Sequence, residues 1–355
     1  MRTFRFLLAV TAGLCLHTPG NAQEACSGFR TYPQGVWGAN PVKNNPAAWL
    51  EEEFNAAFPG GIEIGCKDAL DLMSPEAVRK FLPQGGVAAE LPFGLLTDPD
   101  NEGYNNVLAG HLVALTINVG FDLHDPGFSP SDQTLAELLI SEGPFKGFSV
   151  ERFLERANQR IGGCIDDSLS LRTYSQVAAT INRSYTDGIL RDEFLICPVQ
   201  VRGEATAVRC PGGSDGTVRL QVEGGVGPFS FHWNNGQDSR DMEGVIAGEY
   251  MVTVTDISLG ASVEKRFTID QPAPTEIKAA VNPTTGGYTV SMTGTGGSGP
   301  YTFIWEDGNK SNPRSPMAPG VYRLSAYDAR QCRTHTTVEV KESALVSLPN
   351  AVVRP

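Results

Sequence analysis

Apolar and polar residues alternate along short runs in the C-terminal half of the chain. Three of these runs carry an apolar residue at every second place, namely Val218, Leu220 and Val222, then Phe229, Phe231 and Trp233, then Tyr250, Val252 and Val254. A period of two, interrupted by Gly, Pro and Asn, predicts short antiparallel strands with one buried face. About seven strands in roughly 70 residues, with a Trp in the middle, predict an Ig-like β-sandwich.

This strand pattern occurs twice at a constant offset of 72 residues. The matching blocks are Gly227–Gly236 with Gly299–Gly308, Gly248-Glu249-Tyr250 with Gly320-Val321-Tyr322, and Asp256 with Asp328. Three blocks in one register indicate an internal duplication, which predicts Ig-like modules at residues 200–272 and 274–342.

The large aromatic residues of both modules fall in phase with the inward-facing positions. We therefore predict that Trp233, Trp305, Tyr250 and Tyr322 pack in the cores, rather than forming a platform for sugars. Gly-x-Tyr at the start of a late strand is similar to a tyrosine corner. Asn235-Gly236 and Asp307-Gly308 predict tight hairpin turns.

Between residues 24 and 198 the apolar period is helical instead. Asn45-Pro46 and Ser74-Pro75 each open a helix with Pro in its first turn, and Ser149 caps a third amphipathic run. Residues 105–119 are apolar on most sides and predict a central buried helix, residues 175–185 predict a last helix, and residues 62–73 predict a hairpin. The predicted fold class is multidomain, with a mainly α N-terminal domain followed by two tandem Ig-like antiparallel β-sandwiches.

The motifs of the two modules, taken together, resemble the SprB-type repeat of secreted and cell-surface proteins of Bacteroidota. The resemblance rests on Cys210-Pro-Gly-Gly-Ser-Asp-Gly216, on Gly-Pro-Phe-x-Phe-x-Trp from Gly227, on the Tyr250–Asp256 strand and on Gln271-Pro272. It covers most of 205–272 and, more loosely, 275–341. It implies an extracellular, non-catalytic Ig-like module that serves as a stalk or an adhesive surface. Arg30–Gly38 and Leu108–Leu115 resemble a segment that precedes such repeats in secreted Bacteroidota proteins, and this second resemblance implies no activity.

Each module departs from the cysteine pair that the SprB resemblance implies. The first keeps Cys210 and has Gly260 at the second place, while the second has Asn282 at the first place and keeps Cys332. These two cysteines could pair with each other, pair between molecules or stay reduced. We favour buried thiols over an inter-repeat bridge, because a bridge needs Cα atoms within about 7 Å.

The first 22 residues predict an export signal. Arg2 and Arg5 precede an apolar run to about Leu16, and small residues lead to Ala22. Cys15 offers a rival lipoprotein reading, which Leu14 disfavours. The prediction is an exported protein, extracellular or on the cell surface with the periplasm open, and without a transmembrane segment. The short tail at 343–355 is too small for a sorting domain, so the mode of surface attachment stays open.

The four remaining mature cysteines all lie in the helical domain. Cys26, Cys66, Cys164 and Cys197 predict two disulfides, although their spacing does not choose among three connectivities. A zinc site with four thiolates is the alternative. It is disfavoured by export and by the lack of a Cys-x-x-Cys pair.

Charge and motifs exclude several kinds of chemistry. A net charge of −12 argues against nucleic acid. Gly212–Gly216 spells Gly-x-Ser-x-Gly and Gly294–Gly299 spells Gly-x-Gly-x-x-Gly, but each leads into a predicted strand, so we assign both to turns. No catalytic residues and no cofactor are predicted.

Two polar clusters were weighed as cation sites. Asp98, Asp100 and Glu102 have EF-hand-like spacing, but Ala109 stands where a bidentate Glu is needed, so a solvated acidic turn is preferred. Asp122, His124 and Asp125 form a second cluster, which we assign to a helix cap or to the surface.

These observations predict an exported, non-catalytic protein acting in adhesion or extracellular interaction. Its ligand would be a polysaccharide or another surface protein. The alternatives are an extracellular hydrolase whose helical domain carries the site, and a structural spacer of a surface assembly.

Overall fold

In a computed structural model, residues 27–43 and 45–342 are described. The predicted export signal, the tail and Cys26 lie outside these residues. By compactness the chain divides into two units. The first unit extends to Val201 and includes Val222–Ser230 and Val254–Val263, and the second contains Arg202–Gln221, Phe231–Thr253 and the residues from Glu264 onward. The predicted boundaries near 199 and 273 divide the chain by repeat rather than by compactness, and they stay predictions.

The helical domain contains six α-helices in its described residues. They are α1 Gln34–Trp37, α2 Pro46–Ala57, α3 Pro75–Phe81, α4 Val107–His124, α5 Val150–Ile161 and α6 Leu171–Ile181. Asn45, Ser74, Asn106, Ser149 and Ser170 cap α2 to α6 by accepting backbone N–H groups in the first turns. These caps satisfy donors that have no partner inside the helix.

Five short strands and one 3₁₀ turn complete the helical domain. They are β1 Ile62–Gly65, β2 Ala69–Leu72, β3 Leu95–Thr97, the turn Leu135–Glu137, β4 Leu139–Ile140 and β5 Leu195–Ile196. The predicted hairpin is confirmed, because β1 and β2 pair antiparallel with Ile62 opposite Leu72. A parallel third strand, β3, joins them.

Helix α4 is the centre of the helical core, as predicted, but it runs five residues beyond Val119. It is the one helix among the described residues that is long and apolar enough to cross a membrane, and 67% of it is buried inside the protein. Its Asn118 is fully buried and paired: Oδ1 accepts from Tyr32 N and Trp37 Nε1, and Nδ2 donates to Tyr32 O and Asn182 Oδ1. A buried amide with all its partners fixes the packing of α4 against the N-terminal segment.

The predicted bounds of the last helix are wrong by four residues. The Ser170 side chain accepts from Thr173 N, so α6 begins at Leu171 rather than Ser175. Asn182 ends it, and its Nδ2 donates to His111 O at 2.9 Å. The cap at Ser170 outweighs the apolar pattern that suggested a later start.

The first repeat contains six described strands, β6 Gln200–Thr206, β7 Gly216–Glu223, β8 Phe229–Trp233, β9 Met242–Val245, β10 Gly248–Asp256 and β11 Ala261–Ile269. Their sheets have the orders β6-β7-β9 and β11-β10-β8. The second repeat contains β12 Glu276–Thr284, β13 Gly287–Thr295, β14 Thr302–Trp305, β15 Arg314–Met317, β16 Gly320–Tyr327 and β17 Arg333–Val340, in the orders β12-β13-β15 and β14-β16-β17. The fold class is therefore as predicted, with six described strands per repeat instead of seven.

The predicted hairpins at Asn235-Gly236 and Asp307-Gly308 are wrong in one respect. Both pairs form tight turns, in which Gly236 N donates to Trp233 O and Gly308 N to Trp305 O, each at 2.9 Å. The strands on either side of each turn belong to different sheets, however. The turn therefore carries the chain from one layer of the sandwich to the other.

The preference for buried thiols in the repeats is also wrong. Cys210 and Cys332 form a disulfide, with Cα atoms 5.3 Å apart. The Arg209 side chain approaches the same loop, since its Nε donates to Arg330 O at 2.9 Å. The disulfide links the two repeats through the one cysteine that each keeps of the pair that the SprB resemblance implies.

Candidate functional site

The three predicted disulfide residues of the helical domain that the structure describes are all bonded, and Cys26 lies outside the described residues. Cys66 and Cys164 form a disulfide with Cα atoms 6.4 Å apart, and Cys197 is disulfide-bonded as well. Sulfurs in disulfides are not thiolate ligands for zinc. Among the described residues, no group of three or more His, Cys, Asp or Glu side chains could hold a metal ion.

The acidic turn weighed as a calcium site uses its carboxylates for backbone contacts. Asp98 Oδ1 accepts from Met73 N at 2.8 Å. Asp100 Oδ1 accepts from Glu102 N at 3.2 Å and from Gly103 N at 2.7 Å. These carboxylates therefore stabilise the turn that precedes α4.

The second polar cluster, at the end of α4, is not brought together by the fold. Asp122 Oδ2 accepts from Leu135 N at 2.6 Å, whereas Asp125 Oδ2 accepts from Trp49 Nε1 at 3.0 Å. His124 Nε2 lies 3.8 Å from Glu53 on α2. Burial raises the pKa of Asp122 despite its hydrogen bonds from Leu135 and Ser129. The three side chains hold three different neighbours.

A second set of titratable groups lies between α5 and α6. Tyr174 Oη donates to Asp167 Oδ2 at 2.5 Å, and Arg156 Nη2 donates to the same oxygen at 3.0 Å. Burial, together with the Asp167 hydrogen bond, raises the pKa of Tyr174 to about 12. Burial alone would raise the pKa of Asp167, but the hydrogen bonds from Tyr174, Leu169 N and Arg156 hold it below its usual range. A carboxylate with all these donors is suited to bracing the two helices.

His111 is a further group of the helical domain whose pKa is shifted. Burial lowers the pKa of His111 to about 4, and the charge of Arg183 acts in the same direction. Its imidazole is thus neutral at pH 7, and its Nδ1 has no hydrogen-bond partner among the described residues. No hydrogen bond joins it to Asp122 or Asp167 there, so the three do not form an acid–base set.

The first glycine-rich motif lies in a turn, as assigned, and the second covers the last two residues of β13 and the turn that follows. Gly212–Gly216 ends where β7 begins, and Gly294–Gly299 precedes β14. A strand follows each motif, where a nucleophile elbow or a phosphate loop needs a helix. Neither motif has the structural context for catalysis.

Of the predicted core aromatics, Trp233, Trp305 and Tyr250 are buried, whereas Tyr322 is half-buried against the core of the second repeat. Trp233 is fully buried and Trp305 is 2% exposed, and their indole N–H groups donate to Ser239 O and Ser311 O. Tyr250 Oη donates to Ile246 O and Tyr322 Oη to Ala318 O, each at 2.9 Å and four residues upstream. This is the hydrogen bond of a tyrosine corner.

The repeated aspartates anchor the turn ahead of the Gly-Pro motif. Asp256 Oδ2 accepts from Val226 N and Gly227 N, and Asp328 Oδ2 accepts from Ser298 N. Asp328 Oδ1 also accepts from Arg330 N and Cys332 N. Although burial alone would raise the pKa of Asp328, these backbone donors and the Arg330 charge hold it below its usual range.

An open polar surface lies on the sheet β14-β16-β17 of the second repeat. We call it the outer face and define it by the side chains that point away from the core, namely Thr302, Ile304, Glu306, Val321, Arg323, Ser325, Tyr327, Arg333, His335, Thr337 and Glu339. The alternate residues Phe303, Trp305, Leu324, Ala326 and Val338 form the core. Pairing sets the outer face in rows, with Tyr327 opposite Thr302 and Arg333, and Ser325 opposite Ile304 and His335.

Hydrogen bonds fix part of the outer face and leave one cation free. Arg333 donates to Ser325 Oγ through Nε at 3.2 Å and Nη2 at 3.1 Å, and its guanidinium lies 5.8 Å from the centre of the Tyr327 ring. His335 Nδ1 lies 3.2 Å from the same Ser325 Oγ. The Arg323 guanidinium, by contrast, has no hydrogen-bonding or ion-pair partner among the described residues.

Two grooves open along this face. One, of about 430 Å³, is lined by Arg323, Ser325, Tyr327, Arg333 and His335 together with residues of β14. The other, of about 550 Å³, shares Arg323 and His335 and adds Thr336 and Thr337. Both grooves are shallow and open to solvent, and their lining is rich in hydroxyl and cationic groups.

The acids next to the outer face already have partners. Arg314 donates to Asp307 through Nη1 at 3.0 Å and lies 5.2 Å from the centre of the Trp305 ring. Glu339 lies 3.4 Å from Lys341 Nζ. Among the described residues of the outer face, Glu306 is thus the one carboxylate without an ion pair.

The second repeat differs from the rest of the chain in its balance of basic and acidic residues. Residues 274–342 carry seven Lys or Arg against six Asp or Glu, whereas residues 200–272 carry six against ten and residues 24–198 carry twelve against twenty-four. Sequence reasoning missed this surface because only the net charge of the whole chain was considered. The signal was the alternation of Arg333 and His335 with inward-facing residues.

Comparison with known proteins gives one family and several weak structural likenesses. The SprB repeat matches residues 203–238, so the chain contains an SprB-type repeat in its first Ig-like module. The match does not extend into the second repeat. No curated protein sequence matches the chain.

Three solved structures illustrate the structural likenesses. The DIP-gamma IG1+IG2 structure is 14% identical, with 40% of this chain and 96% of that chain covered and a TM-score of 0.23. Domains 4–9 of the surface layer protein SbsC are 12% identical over 43% and 31% of the two chains, with a TM-score of 0.20. The BSP domain of a biofilm associated protein is 14% identical over 48% and 34%, with a TM-score of 0.16. Likenesses this weak carry no argument about function.

Proposed function

We propose that the protein is exported and acts in adhesion or extracellular interaction, as a non-catalytic surface or secreted protein of the adhesin type. The observation that carries this proposal is the SprB repeat at residues 203–238, in a module whose Cys210 is disulfide-bonded to the next module. Disulfides of this kind form and persist in oxidising compartments outside the cytosol. An origin in Bacteroidota is part of the proposal.

The roles of the parts follow from their contacts. The helical domain braces its own carboxylates, with Asp167 held by Tyr174 and Arg156 and Asp125 by Trp49. The second repeat, by contrast, presents cations and hydroxyl groups to solvent along the outer face. A surface of this kind is suited to contacting a partner without chemical conversion.

The test uses the chain without residues 1–22 and a panel of polysaccharides. Depletion of the protein from solution reports binding, and new reducing ends report hydrolysis. We expect depletion without new reducing ends. New reducing ends would overturn the proposal in favour of a hydrolase in the helical domain. If neither binding to polysaccharides or surface proteins nor turnover occurs, the role is that of a structural spacer.

A further inference from the structure

We infer that the outer face of the second repeat binds a polysaccharide that carries carboxylate groups at intervals along its chain. This inference deepens the proposed adhesive function and rests on it. It assigns a ligand class to Arg323 and Arg333, with Ser325, Tyr327 and His335 between them.

The first step concerns charge. Arg323 and Arg333 face one unpaired carboxylate, Glu306, because Asp307 and Glu339 are taken by Arg314 and Lys341. The outer face is therefore cationic on a chain whose net charge is −12. An exposed guanidinium with no partner, such as Arg323, is free to form a bidentate pair with a carboxylate.

The second step concerns spacing. Arg323 lies opposite Thr337, four residues along β17 from Arg333. That is about 13 Å along the strand. Arg333 is held on Ser325, two residues from Arg323 along β16, and over Tyr327. The two arginines therefore follow one another along the face, and a polymer with repeated carboxylates can contact both of them.

The third step separates a polysaccharide from an acidic protein. The centre of a protein interface is rich in apolar and aromatic side chains and poor in charge. The grooves of the outer face combine the two guanidinium groups with hydroxyl groups from Tyr327, Thr336 and Thr337, beside a smaller apolar part formed by Ile304, Trp305 and Leu324. Ile304 and the exposed Val321 are the two aliphatic side chains among those that define the outer face. Hydroxyl donors and acceptors in a shallow groove are suited to a ligand that is itself rich in hydroxyl groups.

The first repeat supplies an internal comparison for the same face. At the offset of 72 residues, Met251 stands for Arg323, Thr253 for Ser325 and Thr255 for Tyr327. Thr255 Oγ1 lies 2.8 Å from Ser262 Oγ, where the second repeat has Tyr327 beside Arg333. The duplicated sandwich therefore does not require the two guanidinium groups.

The experiment measures binding of the chain without residues 1–22 to polygalacturonate, to its fully methyl-esterified form and to polyglutamate. The variant Arg323→Gln/Arg333→Gln removes both charges, and Arg266→Gln is the control because Arg266 is exposed on β11 of the first repeat. We expect binding to polygalacturonate, little binding to the ester, and roughly tenfold weaker binding by the double variant. Salt at 0.5 M should weaken binding by the native chain, since exposed charges are screened.

Each other outcome overturns the inference and leaves the proposed function to be judged separately. Equal binding to the ester shows that carboxylates are not recognised, and stronger binding to polyglutamate assigns the face to an acidic protein. Loss of binding in Arg266→Gln, or no loss in the double variant with unchanged thermal unfolding, places the site elsewhere. Absence of binding to polygalacturonate also overturns it. Failure of the proposed function has a different readout, the release of new reducing ends.

Discussion

In their interiors, the two Ig-like repeats use equivalent residues for equivalent contacts. Trp233 and Trp305 each donate an indole hydrogen bond to the backbone carbonyl six residues onward. Tyr250 and Tyr322 each donate to the carbonyl four residues upstream. Duplication has kept the groups that hold each sandwich closed, because their loss would leave large cavities or unpaired polar groups.

On their outer faces the repeats differ. The positions of Met251, Thr253 and Thr255 in the first repeat carry Arg323, Ser325 and Tyr327 in the second. A side chain on the solvent side of a sheet contributes little to stability, so it can change without loss of the fold. A conserved interior beneath a changed surface is the pattern expected when a scaffold acquires a binding site.

The largest expected effect comes from truncating a buried tryptophan in the core of a repeat. Trp305→Ala should lower the free energy of unfolding of the second repeat by about 3–5 kcal/mol, because the buried indole leaves a cavity and the carbonyl of Ser311 loses its donor. Trp233→Ala should do the same in the first repeat. Hydrogen exchange at the amides of β16 and β10 measures each effect locally. A cost below about 1 kcal/mol in either repeat would contradict an equivalent core role.

The next effect concerns the bridge between the repeats. Cys210→Ser/Cys332→Ser should cost about 2–4 kcal/mol, since the disulfide closes a loop with a sequence separation of 122. Faster hydrogen exchange at β17, which begins beside Cys332, is the expected readout. The matched control is Cys66→Ser/Cys164→Ser, which removes the Cys66–Cys164 bridge within the helical domain. If the control accelerates exchange at β17 equally, the inter-repeat bridge has no local role.

A smaller effect is expected when the charge of an anchoring aspartate is removed. Asp328→Asn should cost about 1–3 kcal/mol at pH 7, because the charged acceptor of three backbone N–H groups is lost. The pKa of Asp328 is lower in the folded protein than in the unfolded chain, where it is about 3.9. The charged carboxylate therefore stabilises the fold fully above the unfolded pKa, and this stabilisation is lost as the pH falls through the folded pKa.

The free energy of unfolding of the native chain and of Asp328→Asn, measured between pH 7 and pH 2, tests this direction. The difference in stability between the native chain and Asp328→Asn should shrink as the solution becomes acidic. Asp256→Asn is the matched change in the first repeat, where Val226 N, Gly227 N and Leu259 N are the donors. A difference that grows on acidification would show that burial outweighs the backbone donors of Asp328.

Local signals in the sequence were sufficient to predict the capped helices and the core aromatics. Asn45, Ser74 and Ser149 cap helices because a short side chain reaches the free N–H groups of the first turn. The phase of Trp233 and Trp305 follows from the period of two in a strand. These features depend only on residues that are near in the chain.

Features that depend on distant residues were missed or misjudged. The Cys210–Cys332 bond requires two loops 122 residues apart to approach, which spacing alone does not show. The residues Asp307-Gly308 predict a hairpin but suit a passage between two layers equally well, and only the sheet order separates the two. The outer face required the register of β16 against β17, since only pairing places Arg333 beside Tyr327.

The smallest expected effect comes from transferring the two guanidinium groups of the outer face to the first repeat. Met251→Arg/Ser262→Arg, made in the Arg323→Gln/Arg333→Gln background, places guanidinium groups at the position equivalent to Arg323 and beside Thr255. We expect severalfold recovery of polygalacturonate binding, because each exposed charge pair contributes only a few tenths to about 1 kcal/mol. Arg266→Gln in the same background should recover nothing. Recovery in the grafted chain would show that two guanidinium groups on this sheet are sufficient, whereas its absence would show that Tyr327 and His335 are also required for recognition.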